Sequence, residues 1–119
     1  FKARLATVNP GLVDFLYSAE SYDAVLISAL AAQIAGTDNP AEVAKHINGV
    51  TRDGEKCTTW ADCTALIEQG EDIDYDGASG PQEFSQNGEP TQASFGILVF
   101  APDKNETDPA LTEYVQAQI

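Results

Sequence analysis

The stretch Ser21–Gly36, SYDAVLISALAAQIAG, decides the fold of this chain. Ala, Leu, Ile and Val fill it, no proline interrupts it, and Gly36 stands where a helix stops. Ser18 or Ser21 can cap its first amides, while Glu20 and Asp23 bring negative charge to the positive end of the helix dipole. Val25, Leu26, Ile27, Leu30 and Ile34 put apolar groups on nearly every side, so the helix is expected to be buried on several faces. A membrane span needs about 20 apolar residues, and Asp23 and Gln33 bracket a shorter core than that.

Working outward, the second helix is expected over Ala41–Ile47, after the connector GTDNP. Asp38 or Asn39 can cap it, and Pro40 sits where its missing N–H costs nothing. A third helix, Trp60–Gln69, starts from a Thr58 or Thr59 cap and ends at Gly70. Arg52–Lys56 reads as a polar loop and Glu71–Asp76 as an acidic one. From Tyr75 the texture turns to glycine, proline and short extended pieces. Gln82–Ser85 and Ser94–Phe100 read as strands around the Asn87-Gly88 turn, and Leu111–Ile119 as a short terminal helix. The segment itself is therefore α+β, about three helices with a β-hairpin and a closing strand. Its divisions are a lead-in over 1–20, a helical pair over 21–49, a cysteine-containing loop and helix over 50–74, hairpin and closing strand over 75–100, and a tail over 101–119.

Six basic residues stand against 19 acidic ones, a formal net charge of -13 over 119 residues. Phosphate binding needs clustered Lys and Arg, so a nucleic-acid role is excluded, and an anionic membrane surface is disfavoured. The chain lacks methionine and opens on Phe1, which reads as a processed or excised piece of something larger.

Chemistry has few footholds. His46 is the single histidine, beside Lys45 and without a nucleophile at a useful spacing. Cys57 and Cys63 enclose five residues and are the two cysteines of the chain; they point to a disulfide and an oxidising compartment, with two reduced structural thiols as the alternative. Asp72, Asp74, Asp76, Gly77 and Glu83 match the calcium-loop spacing D-x-D-x-D-G-x5-E. That motif needs a helix on each side. Here Gly80-Pro81 precedes the glutamate, turn and strand material follows it, and Ser79 holds a position that is normally apolar. The loop is rejected as a metal site, and no cofactor is expected.

Three stretches in order carry a resemblance: the Tyr22-Asp23-Ala24 helix ending in Ala35-Gly36, the Asn39-Pro40 helix start, and YDGASGPQEFSQNGEPTQASFGILVF. The last contains G-x-x-G-x-x-x-F, an N-G-x-P turn and a closing F-G-I. Together, over Tyr17–Phe100, they resemble the C-terminal part of type I substrate-binding proteins of ABC importers, the branched-chain amino-acid (Leu/Ile/Val) branch above all. The resemblance implies an α/β parent fold of two lobes, each a mostly parallel sheet flanked by helices, with the ligand between them. It implies an extracytoplasmic protein that is not an enzyme and hands an amino acid or small polar solute to an ABC permease. The same fold also serves as the sensing domain of receptors and regulators. One cleft position carries over, the aromatic five residues before the helix tyrosine, here Tyr17. The loop Arg52–Asp74 and the tail beyond Asp103 depart from the family pattern. Because the central helix is apolar on more faces than these elements cover, the isolated chain is also expected either to self-associate through it or to fold only together with the missing part.

Overall fold

The computed structural model describes residues 1–118. Among the described residues, four helices and four strands follow in the order α1 (Lys2–Val8), α2 (Ser18–Ala35), α3 (Pro40–Val43), β1 (Glu55–Cys57), α4 (Trp60–Glu68), β2 (Ile73–Tyr75), β3 (Gln92–Ile97) and β4 (Glu113–Gln118).

Helix α2 is the expected central helix, three residues longer at its start, and it ends as Gly36 turns left-handed at φ 63°. Neither serine caps it. Tyr17 occupies the cap position, and the Ser18 hydroxyl donates to the Phe15 carbonyl instead. One face is buried, through Asp23, Ile27, Leu30 and Ala31, while Val25 on the other side is 68% exposed. The expectation of burial on several faces is thus corrected: the elements present bury this one face. Asn39 caps α3 by accepting from the Ala41 amide, and Thr59 caps α4 by accepting from Asp62. Beyond Val43 the chain continues in tighter i→i+3 turns, so the second helix stops short of Ile47.

Two stretches read as loops are strands. β1 and β2 pair in parallel, with Glu55 opposite Ile73, Lys56 opposite Asp74 and Cys57 opposite Tyr75, and α4 makes the crossover between them. Thr51 pairs antiparallel with Asp74, and the Tyr75 amide donates to the Val50 carbonyl, so extended backbone flanks β2 on its other side. Cys57 at the end of β1 is bonded to Cys63 in α4, with the two Cα atoms 5.3 Å apart. The core gathers here: Ile27, Leu30 and Ala31 of α2 against Val50, the disulfide, Ile73 and Tyr75.

The C-terminal third is a separate antiparallel ribbon of β3 and β4, registered from Gln92 opposite Gln118 to Ile97 opposite Glu113. Residues expected in a terminal helix therefore form a strand through Gln118, and Ile119 lies outside the described residues. Tyr114 and Val115 favour extended backbone, and β3 offers them an open edge. Around Asn87-Gly88 the chain makes a turn closed by one Phe84–Pro90 bridge rather than a strand over Gln82–Ser85.

Candidate ligand-binding groove

The 3.6-residue period puts Asp23 on the same stripe of α2 as Ile27, Leu30 and Ala31, so its carboxylate enters the protein with them. It is 1% exposed. Four donors replace its water: the Tyr75 hydroxyl at 2.9 Å and the Ala78 amide at 2.8 Å reach Oδ1, and the Ser79 amide at 2.7 Å and Ser79 hydroxyl at 2.5 Å reach Oδ2. A Cβ on Gly77 would stand inside van der Waals contact of this carboxylate, so only glycine lets the chain pass there. Burial, then the hydrogen bond to Asp23 and its charge, push the Tyr75 hydroxyl's pKa up, so Tyr75 remains a proton donor. The result is a fixed corner: Asp23 holds Ser79, and the Ser79 oxygen in turn accepts from the Gln82 amide at 3.2 Å.

That corner borders an open groove of about 910 Å³ between the start of α2 and the ribbon. Val13–Glu20 form one wall, Ala78 and Ser79 the floor, and Ser94, Thr107 and Tyr114 the far side. Helix α1 closes the near end, with the Phe1 and Tyr22 rings 5.3 Å apart and the Lys2 ammonium 5.5 Å above the Phe15 ring. Tyr17 stands at the rim, 75% exposed, with its backbone at φ 57°. A left-handed conformation costs an aromatic residue on the order of 1 kcal/mol or more, and such strain collects at functional positions. A smaller apolar cavity of about 220 Å³ adjoins, lined by Ala24, Ile27, Ile47 and Phe84, with Glu20 and Ser79 shared between the two. Aromatic rings, hydroxyls and carboxylates over a fixed floor can hold a small amphiphilic molecule by stacking and hydrogen bonds.

The acidic loop holds an ammonium. Lys56 Nζ lies 2.8 Å from Asp74, 3.1 Å from Asp76 and 3.1 Å from Glu83, three of the four carboxylates in the calcium-loop spacing. Asp72 accepts from the Ile73 amide instead. Burial alone would lower the Lys56 pKa, but hydrogen bonds to the three carboxylates outweigh it and raise it. Burial raises the pKa of Asp74, which Lys56 offsets only in part, and its Oδ1 has no hydrogen-bond partner among the described residues.

Compared with known proteins, residues 2–103 match the model of the receptor family ligand binding region. The chain belongs to that family. This receptor-family region is of the type I periplasmic-binding-protein kind, and a mixed α/β segment of four helices and two small sheets accords with such a fold. Small-molecule binding is thereby its function at the coarse level. No curated protein and no solved structure matches the chain significantly. The disulfide is compatible with an extracellular setting. Among the described residues, no helix is long and apolar enough to cross a membrane.

The structure brings Tyr17 to the groove and joins Cys57 to Cys63. Reasoning from sequence missed Asp23 as the anchor of the floor. The signal was a charged residue in register with the apolar stripe of α2, facing a Gly77-Ala78-Ser79 segment rich in free amides.

Proposed function

We propose that this groove is one wall of the ligand cleft of an extracytoplasmic solute-binding protein. It would bind a branched-chain amino acid or a related small polar solute between two lobes and pass it to an ABC permease. The observation that supports the reading is Tyr17, a strained and free-standing aromatic beside an anchored floor, in a chain of the receptor-family ligand-binding kind. Its action is closure around the ligand, a binding equilibrium without bond chemistry, cofactor or metal. The family's receptor description supports a second reading, a ligand-sensing domain of the same fold.

Calorimetric titration of the full-length protein with leucine, isoleucine and valine tests the first reading. Binding is expected, and Tyr17→Ala is expected to weaken it by about 1–3 kcal/mol. Unchanged affinity in the variant removes Tyr17 from the site; no heat with any of the three amino acids removes the branched-chain assignment. Uptake by cells lacking the protein separates import from sensing, since only a transport component is needed for accumulation of labelled solute. The apolar faces left open on α2 and the ribbon support one more proposal, self-association of the chain by itself.

A further inference from the structure

We infer that Asn105 is a site of N-linked glycosylation. Asn105-Glu106-Thr107 is the single N-x-[ST] sequence in the chain, and the intervening residue is not proline.

Sequons arise by chance, so position has to select this one. Asn105 lies in the exposed loop that follows β3. A Phe100–Thr107 bridge closes this loop, helped by the Ala101 amide on the Glu106 carbonyl at 3.0 Å and the Asp108 amide on the Val99 carbonyl at 2.8 Å. Those bonds engage neighbouring backbone and leave the Asn105 side-chain amide and the Thr107 hydroxyl without hydrogen bonds among the described residues. A glycan on Asn105 points into water and displaces no packed group. The Cys57–Cys63 disulfide supplies an independent second observation, because it is at home in the compartments where N-glycans are added. This inference rests on the extracytoplasmic placement but not on the identity of the ligand.

The donor is an oligosaccharide linked to a polyprenyl diphosphate. Asn105 Nδ2 attacks the anomeric carbon, a carbon–nitrogen bond forms and the bond from that carbon to the diphosphate oxygen breaks. Polyprenyl diphosphate leaves, and the amide gives up one proton to a carboxylate of the transferase. No electron carrier is needed.

Full-length protein secreted by its own host, digested and examined by mass spectrometry, tests the site. The peptide spanning Asn105 should carry sugar, and amidase removal of the glycan should leave aspartate at that position. Asn105→Gln and Thr107→Ala should abolish the modification, and Thr107→Ser should keep it. The disulfide, scored in the same digest, reports passage through an oxidising compartment. A bonded Cys57–Cys63 pair with wholly unmodified Asn105 overturns the inference, whereas free thiols with unmodified Asn105 overturn the extracytoplasmic placement and the inference with it.

Discussion

A carboxylate taken out of water needs donors to replace the lost hydration, and Asp23 has four of them. Removing it would leave the Tyr75 hydroxyl, two backbone amides and the Ser79 hydroxyl facing an empty pocket. Asp23→Ala is therefore expected to lower the unfolding free energy by about 3 kcal/mol or more, measured by urea unfolding. A loss below about 1 kcal/mol would show that water takes over the four donors. Asp74 is the opposite case, a buried carboxylate with one oxygen unpartnered among the described residues. Its pKa is raised above 3.8, mostly by burial, so the folded state holds its proton more readily than the unfolded chain. The stability linked to this group is then present at acid pH and is lost as the pH climbs through the folded value. Asp74→Asn should remove that loss. Unfolding curves from about pH 4 to pH 7 should show the variant falling less, relative to its own acid value, than the unaltered protein. Parallel profiles for the two would mean that Lys56 compensates the burial in full.

At the scale of elements, what could be read from sequence was whatever local chemistry determines. The α2 helix, its Gly36 stop, the Asn39 cap and the Thr59 cap each depend on neighbours a few residues away, and each is in place. The parallel pair depends on contacts across α4, and its strands are three residues long, with Lys56 and Asp74 at their centres. No period shows in three residues. The ion pair that justifies those charges lies across the strands, where a linear reading does not look. Likewise Tyr114 and Val115 become a strand because β3 lies beside them, which local propensity alone does not reveal. Of the groove, Tyr17 came from family resemblance, whereas Asp23 and its donors stand more than fifty residues apart in sequence. The cysteine pair was legible because its chemistry is short-range. Both sulfurs belong to buried residues, and the bond ties the end of β1 to the first turn of α4. Closing so short a loop stabilises by roughly 2–3 kcal/mol on the chain-entropy account. Cys57→Ser with Cys63→Ser should lose about that much in chemical unfolding, and native protein should not react with a thiol reagent until reduced. Quantitative labelling of both cysteines without reductant would refute the bond in solution.

The whole molecule is less closed than its length allows. A compact domain of this size has a radius of gyration of about 13.5 Å, against 16.9 Å here, with extents of 55 × 35 × 24 Å. The excess comes with the ribbon, whose two strands are largely open to water on both faces and carry Phe95, Ile97, Tyr114 and Val115 exposed. An isolated two-stranded ribbon is marginal in water, and an unpaired edge invites another strand. Charge works against association, since the chain carries -13, but the two strands contain one charged residue between them, Glu113. Covering roughly 400 Å² of apolar surface gains on the order of 10 kcal/mol before the entropy of association is subtracted. Edge pairing of the ribbon, or exchange of β3 between copies, supplies that cover with the least repulsion. The open side of α2 around Val25 supplies more. The 119-residue chain on its own is therefore expected to self-associate, and to do so more strongly as salt screens its acidic surface. Sedimentation velocity across a concentration and salt series decides it. A mass that rises with both, and falls when Phe95→Lys places a charge on the ribbon, is the expected result. A monomer at every concentration and salt level, binding no apolar dye, would mean that the chain tolerates its open faces in water.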